Sequence, residues 1–417
     1  MPVVEQTLGE LRTAALSAVR EACAVTELVR ARLCESDTMQ KADKSPVTVA
    51  DFAAQAIMIL LLKRQFPGIP FVAEEDAREL RAPAGEVLLE AVVAWVRQCP
   101  QLELVSPEEV LDAIDSGGFE PSSCFDGGQF WCIDPIDGTK GFLRNDQYAV
   151  CLGLVHCASN YLGAMSGRPI LGVLGCPRLP SSLPAAGEER LQPRGVVLHA
   201  VVGQGVVAAS WRPARAGISK SDHESDVSLD ARSICAPSRF VESVEAHSTD
   251  QTVSAQVAKL AGLAHAPLRL DSQAKYAAVA RGDAAAYLRL AGYRHHIWDH
   301  AAGACIVAES GGRVTDAEGA PLNFAAGRTL SDNRGGIVAT AACTADSALH
   351  GTVVCAIAQQ AASHSPPASQ PEPKRARSNN DDNEGLVSGG GGAAASGSRD
   401  APTAARASQA AEAGGVV

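Results

Sequence analysis

Apolar positions along this chain recur with a helical period in some stretches and as short continuous runs in others. MPVVEQTLGELRTAALSAVREACAVTELVRARL places Leu8, Leu11, Ala15 and Ala22 on one face, which predicts an amphipathic first helix. DFAAQAIMILLLKRQFPG predicts a second long helix, closed by Pro67 and Gly68. IPFVAEED reads as a short strand that runs into three acids. Residues 83–128 carry scattered Gly and Ser and read as a variable stretch. FWCID, YAVCLGLVHC and PILGVLGC predict successive strands, and GVVLHAVVGQGVVAAS predicts two more joined by a glycine turn. Residues 212–232 are polar and predict a loop. DQTVSAQVAKLAGLA, KYAAVARGDA and DHAAGACIVAESGG predict helices, the last stopped by paired glycines. AAYLRLA and GGIVATA predict strands. The chain has no internal repeat.

The 417 residues suffice for two domains and a substantial core. The net charge of -11 argues against general nucleic-acid binding, which needs clustered Lys and Arg. No apolar run reaches the ~18 residues of a membrane span. The N-terminus lacks the apolar core of a signal peptide. Glu5, Glu10, Glu21 and Glu27 do not suit a transit peptide, so the cytoplasm is the expected location, with an organelle as the alternative. The 12 cysteines form no CxxC pair. Cys132, Cys151, Cys157, Cys305 and Cys355 sit in apolar context, which predicts reduced, buried thiols. From about Ser363 the composition shifts to SPPASQPEPKRARSNNDDNEG and a Gly/Ala-rich end, which predicts a disordered tail. PKRAR, Pro373 to Arg377, reads as a solvated charge run before it reads as a localisation signal.

The candidate chemistry begins at FWCIDPIDGTKGF. Asp134 and Asp137 close an apolar run, Pro135 predicts a turn straight after the strand, and Gly138 permits tight backbone. Such a turn brings two carboxylates and the Ile136 carbonyl toward one point, an oxygen set suited to Mg²⁺. The N–H groups of Gly138 and Thr139 would open the next helix, where an anion is favoured. Taken alone, the spelling fits an Asp-rich surface turn equally well. Glu74 and Glu75 follow a strand, while Asp51 and Asp299 stand where helices are predicted to begin. For each acid singly, N-capping is the simpler account. Together they share one form, an acid where an apolar element meets a loop, and converging carboxylates repel unless a cation holds them.

In order, PVTVAD, AEED, DPIDGTKGF and WDHAAGACIVAESGG resemble the lithium-sensitive, Mg²⁺-dependent phosphatases of the inositol monophosphatase superfamily. DPIDGTKGFLR, GCPRL and DSQAKYAAVARGDAAAYLRL are similar to the 3′(2′),5′-bisphosphate nucleotidases, above all plant and algal ones. The resemblance covers residues 5–345. It implies an α/β (α+β) fold, a layered αβαβα sandwich. It further implies an N-terminal metal-binding domain over 1–165, a C-terminal nucleotide-binding domain over 166–357, and the tail over 358–417.

What the resemblance implies for the site is specific. Glu74, Asp134, Asp137 and the Ile136 carbonyl would be metal ligands, and Asp299 would complete a second metal site. Asp51 with the Thr139 hydroxyl would activate the attacking water. Gly138, Thr139, His247, Ser272, Lys275, Arg289 and Asp299 would bind substrate, with Lys275 and Arg289 on a second phosphate. Two or three Mg²⁺ ions and a monomer are expected, with no nucleic-acid or membrane partner. The implied reaction removes the 3′-phosphate of adenosine 3′,5′-bisphosphate, with the sulfated analogue as second substrate, in sulfur metabolism. The alternatives are an inositol polyphosphate 1-phosphatase and a catalytically weak nucleotide-binding sensor. After His247 and Ser248 the sequence departs from the family, which often has a second histidine there, and residues 211–236 match it poorly.

Overall fold

The alternation of apolar side chains sorts the strands of this computed structural model into faces, and the faces into layers. The structure describes residues 7–35, 45–180, 195–211, 227–229, 239–245, 250–290, 295–342 and 348–364. The helices are α1 (Leu8–Glu35), α2 (Ser45–Gln65), α3 (Arg78–Arg81), α4 (Glu86–Val96), α5 (Pro107–Asp115) and α6 (Thr139–Leu143), then α7 (Gln251–Leu260), α8 (Ala274–Ala280), α9 (Ala301–Glu309) and α10 (Leu349–His364). A seven-stranded sheet runs in sequence order: β1 (Phe71–Ala73), β2 (Gln129–Asp137), β3 (Ala149–Ser159), β4 (Met165–Cys176), β5 (Gly195–Val201), β6 (Val206–Trp211) and β7 (Val227–Leu229). Only its β1–β2 pair is parallel. A five-stranded mixed sheet has the order β11-β12-β10-β8-β9, built from β8 (Phe240–Glu242), β9 (Leu268–Arg269), β10 (Ala286–Arg289), β11 (Arg313–Asp316) and β12 (Ile337–Thr340).

Three apolar clusters separate these layers. Trp131 and Ile133 of β2 and Val150, Leu152 and Leu154 of β3 face α1 and α2. Phe130, Cys132, Cys151 and Val155 face the other way, with α8, α9, Tyr287, Ile337 and Ala339. Leu288 and Val338, on the far face of the second sheet, pack with Val257 of α7 and Val353 of α10. The order α1/α2, sheet, α8/α9, sheet, α7/α10 is the expected αβαβα sandwich. Small residues let α9 approach. A Cβ on Gly172 of β4 would stand 2.5 Å from the Ala302 carbonyl oxygen. All these elements lie in one compact unit, Met1–Ser365.

Several expectations need correction. Residues 83–128 contain α4 and α5; Ser106 and Glu109 form a reciprocal capping box that starts α5. Strand β7 falls inside the stretch read as loop. Helix α10 continues to His364, past the expected tail start at 358. The tail from 365 and PKRAR lie outside the described residues. Cys355 is exposed, while Cys23, Cys99, Cys124, Cys132, Cys151, Cys157, Cys176 and Cys305 are buried, and all nine are free thiols. Among the described residues no helix is long and apolar enough to cross a membrane.

Candidate active site

Strand β2 brings the first acids together by a bulge, and the turn expected after Asp134 is absent. Asp134 pairs with Cys151 and Asp137 with Ala149, so three steps on β2 span two on β3. One extra residue restores the facing that an odd separation would reverse. Both aspartates therefore share the face of Cys132 and Cys151, toward α8 and α9, while Ile133 and Ile136 face α1 and α2. Pro135, with no N–H to donate, suits the interruption. Gly138 follows in the left-handed region at φ 89° and precedes the five-residue α6.

The parallel β1–β2 register places Ala73 beside Ile133, so Glu74 comes next to Asp134. Gln55, fully buried on α2, fixes this exit. Its Nε2 donates to the Glu75 carbonyl at 2.8 Å and its Oε1 accepts from the Glu75 N–H at 3.0 Å. Asp51 lies one turn earlier on α2, inside the helix and not at its start, and is buried. Asp299 precedes α9, whose N-cap is His300. From the second sheet Arg289 shares the face of Tyr287, and Lys275, on α8, holds its Nζ 5.4 Å from the Tyr287 ring centre. Arg144, after α6, pairs with both Glu245 and Asp271, linking DPIDGTKGFLR to DSQAKY.

Six acids, Asp51, Glu74, Glu75, Asp134, Asp137 and Asp299, thus face each other's fields with Lys275 and Arg289 as the nearby cations. Burial, then Glu74, Asp137, Asp299 and Asp51, push the Asp134 carboxyl up. Burial, Glu75 and Glu74 do the same to Asp51. Asp137 rises to about 7 through burial and Asp299, against the pull of Lys275, Arg289 and the Gln273 N–H. Asp299 rises through burial, opposed by Arg289. Glu74 rises through burial of its carboxyl and through Glu75, and solvent on its open side screens part of that push. Burial lowers Lys275 to about 8, with Asp137 acting the other way.

Among the described residues, no three His, Cys, Asp or Glu side chains already form a closed set of metal ligands. The donor chemistry nevertheless fits a hard divalent cation. Oδ1 of Asp134 is buried with no hydrogen-bond partner among the described residues, and the acids around it lack matching positive charge. Ser272 is buried with φ 63°. Thr139 is exposed and makes no hydrogen bond to Asp51. His247 lies outside the described residues. Gln55, Gln273 and Arg144 were not singled out by the sequence; only their places within VADFAAQ, DSQAKY and DPIDGTKGFLR mark them.

The profile of the inositol monophosphatase family matches residues 7–361, and the chain belongs to that family. It is similar to the 3′(2′),5′-bisphosphate nucleotidase of Schizosaccharomyces pombe, 37% identical over 343 residues, covering 78% of this chain and 90% of the relative. The protein of that name from Oryza sativa is 39% identical over 341 residues, covering 78% and 89%. The expected resemblance to these nucleotidases is borne out, and with it the reading of the chain as an enzyme, a phosphatase. Among solved structures, staphylococcal IMPase-II superposes with a TM-score of 0.50 at 14% identity, over 85% of this chain and 97% of that one, a likeness of fold alone.

Proposed function

We propose that the protein hydrolyses the 3′-phosphate of adenosine 3′,5′-bisphosphate to AMP and phosphate, and acts likewise on the sulfated analogue, in the service of sulfur metabolism. The observation that carries this is that Asp134 and Asp137 on the first sheet face Asp299 and the two cations Lys275 of α8 and Arg289 of β10. A bisphosphorylated substrate presents two anions. One needs a cation among the acids, and the other needs fixed positive charge.

Glu74, Asp134, Asp137, the Ile136 carbonyl and Asp299 would hold two or three Mg²⁺ ions. Bound there, Mg²⁺ would neutralise phosphate charge and acidify water at the scissile ester. Asp51 accepts the proton of the attacking water. Thr139 orients that water with its hydroxyl, and its N–H with that of Gly138 meets the scissile phosphate. Lys275 and Arg289 take the second phosphate, Ser272 the sugar-phosphate edge, and His247 the base. We further assign the acids of residues 1–165 to metal binding and residues 166–357 to the nucleotide, in a cytoplasmic monomer without nucleic-acid or membrane partners.

The test is phosphate release by the purified protein from adenosine 3′,5′-bisphosphate, its sulfated analogue and inositol 1,4-bisphosphate, with Mg²⁺ varied and Li⁺ added. Highest kcat/KM on the nucleotide, dependence on Mg²⁺, inhibition by Li⁺ and loss in Asp51→Asn are expected. Preference for the inositol ester, or equal activity in Asp51→Asn, would overturn the proposal.

A further inference from the structure

Gln273 has no part in the reaction described above, yet it is 1% exposed and bonded on three sides. Its backbone N–H donates to Oδ2 of Asp137 at 2.5 Å. Its Nε2 donates to the carbonyl of Trp298 at 2.8 Å, and its Oε1 accepts from the N–H of Gly303 at 2.8 Å. Trp298 immediately precedes Asp299, and Gly303 lies in the first turn of α9. A single residue thus grips the carboxylate on β2 and both flanks of the segment that carries Asp299.

Helix α9 needs that grip. First-turn N–H groups have no acceptor within their own helix. His300, at the N-cap, makes no side-chain capping hydrogen bond. Oε1 of Gln273 supplies the acceptor from 30 residues away in sequence. Burial makes the loss of such a partner costly, because water cannot replace it.

The backbone just before Gln273 supports the same reading. Ser272 adopts φ 63°, a conformation uncommon for a side-chain-bearing residue. Its Oγ accepts from the Ala274 N–H at 3.1 Å, which stabilises the sharp turn. The turn leads directly into the N–H that meets Asp137. Strain of this kind persists where surrounding contacts hold it, and here they converge on an acid of the site.

We infer that Gln273 is a positioning residue that sets Asp137 and Asp299 in mutual register and thereby fixes how tightly the acids hold a divalent cation. The inference rests on the reading of those acids as metal ligands. Gln273→Met preserves the chain length and the backbone N–H while removing both side-chain hydrogen bonds.

The probe is Mn²⁺, added to metal-free protein and followed by the paramagnetic resonance of the unbound ion, with no turnover involved. Gln273→Met should weaken Mn²⁺ binding about tenfold or more. The Mg²⁺ needed for half-maximal phosphate release should rise in parallel. KM for the nucleotide at saturating Mg²⁺ should change less than about twofold, because Lys275 and Arg289 keep their places. Wild-type Mn²⁺ affinity in folded Gln273→Met overturns the inference, even if the melting temperature falls. Should that variant not fold, Gln273→Asn decides, since its amide is too short for Trp298 and Gly303: weakened Mn²⁺ binding supports the inference and unchanged binding overturns it. If the wild-type protein itself binds no Mn²⁺, the metal reading has failed and takes this inference with it, an outcome distinct from a failure seen only in the variants.

Discussion

Nη1 of Arg289 stands 3.8 Å from Oδ2 of Asp299, and both side chains are largely buried, at 15% and 16% exposure. The separation is an ion pair but longer than a hydrogen bond. The pair joins the second sheet to the segment before α9, and it holds the Asp299 carboxyl down against burial. A phosphate oxygen arriving between the two would draw the guanidinium toward itself.

Arg289→Ala should therefore raise KM for adenosine 3′,5′-bisphosphate about 10- to 100-fold, the worth of one charged hydrogen bond. For a substrate with a single phosphate, KM should barely change. Arg289→Lys should fall between, because an ammonium offers a point charge but no planar fork. Steady-state kinetics on the paired substrates checks this.

Asp134 is 2% exposed and repelled by four neighbouring acids. In metal-free protein its charge is a liability, so Asp134→Asn should melt no lower than wild type without metal. Mg²⁺ should raise the melting temperature of the wild type by binding only the folded state, and the variant should lose that rise. Its activity should drop about 100-fold or more. Thermal melts with and without Mg²⁺, beside phosphate release, separate the two effects. A lower metal-free melting temperature would mean that Asp134 serves the fold.

Glu74, Asp134 and Asp137 were legible in the sequence because they close apolar runs, a local pattern, and Asp51 and Asp299 because they sit in PVTVAD and WDHAAG. Long runs such as YAVCLGLVHC and DHAAGACIVAESGG were legible as elements for the same reason. The bulge was not. Pro135 signals an interruption, but only pairing with Cys151 and Ala149 shows that it lies inside the strand. Gln55, Gln273 and Arg144 act through partners 20 to 136 residues away, and no spacing rule reports such contacts. Helix α10 is not read from the sequence at all, because its AIAQQAASH end shades into the polar composition of the tail.

Gly172 of β4 shows how closely α9 must lie on the first sheet. A Cβ there would stand 2.5 Å from the Ala302 carbonyl oxygen and 3.1 Å from Cys305 Cβ. Backbone cannot yield without moving the helix, so Gly172→Ala should destabilise the protein by about 1–3 kcal/mol. Because Asp299 leads into α9, the variant should also need more Mg²⁺ for half-maximal rate. Denaturant unfolding and a Mg²⁺ titration measure the two. An unfolding midpoint equal to wild type would show that α9 is free to shift.

Acid should loosen α10 through His350. The ring is buried and bridges two strands, with Nε2 2.9 Å from Thr315 Oγ1 and Nδ1 2.9 Å from Thr340 Oγ1. Thr315 Oγ1 already donates to the Asp316 carbonyl, so it accepts from Nε2–H, and Nδ1 accepts from Thr340. The ring is thus held neutral. Burial, with Arg313 adding to it, lowers its pKa from 6.5 to about 4. A folded pKa below the unfolded one means that the unfolded chain takes the proton first. The contribution is complete above pH 6.5 and is lost as pH falls toward 4. The steepest loss one such proton can cause is about 1.4 kcal/mol per pH unit. Other acids titrate in the same window, so the informative quantity is the difference between wild type and His350→Gln, whose amide can bridge the threonines without titrating. Urea unfolding across this window should show wild-type stability falling more steeply than that of the variant. Parallel curves would show that His350 carries no proton linkage.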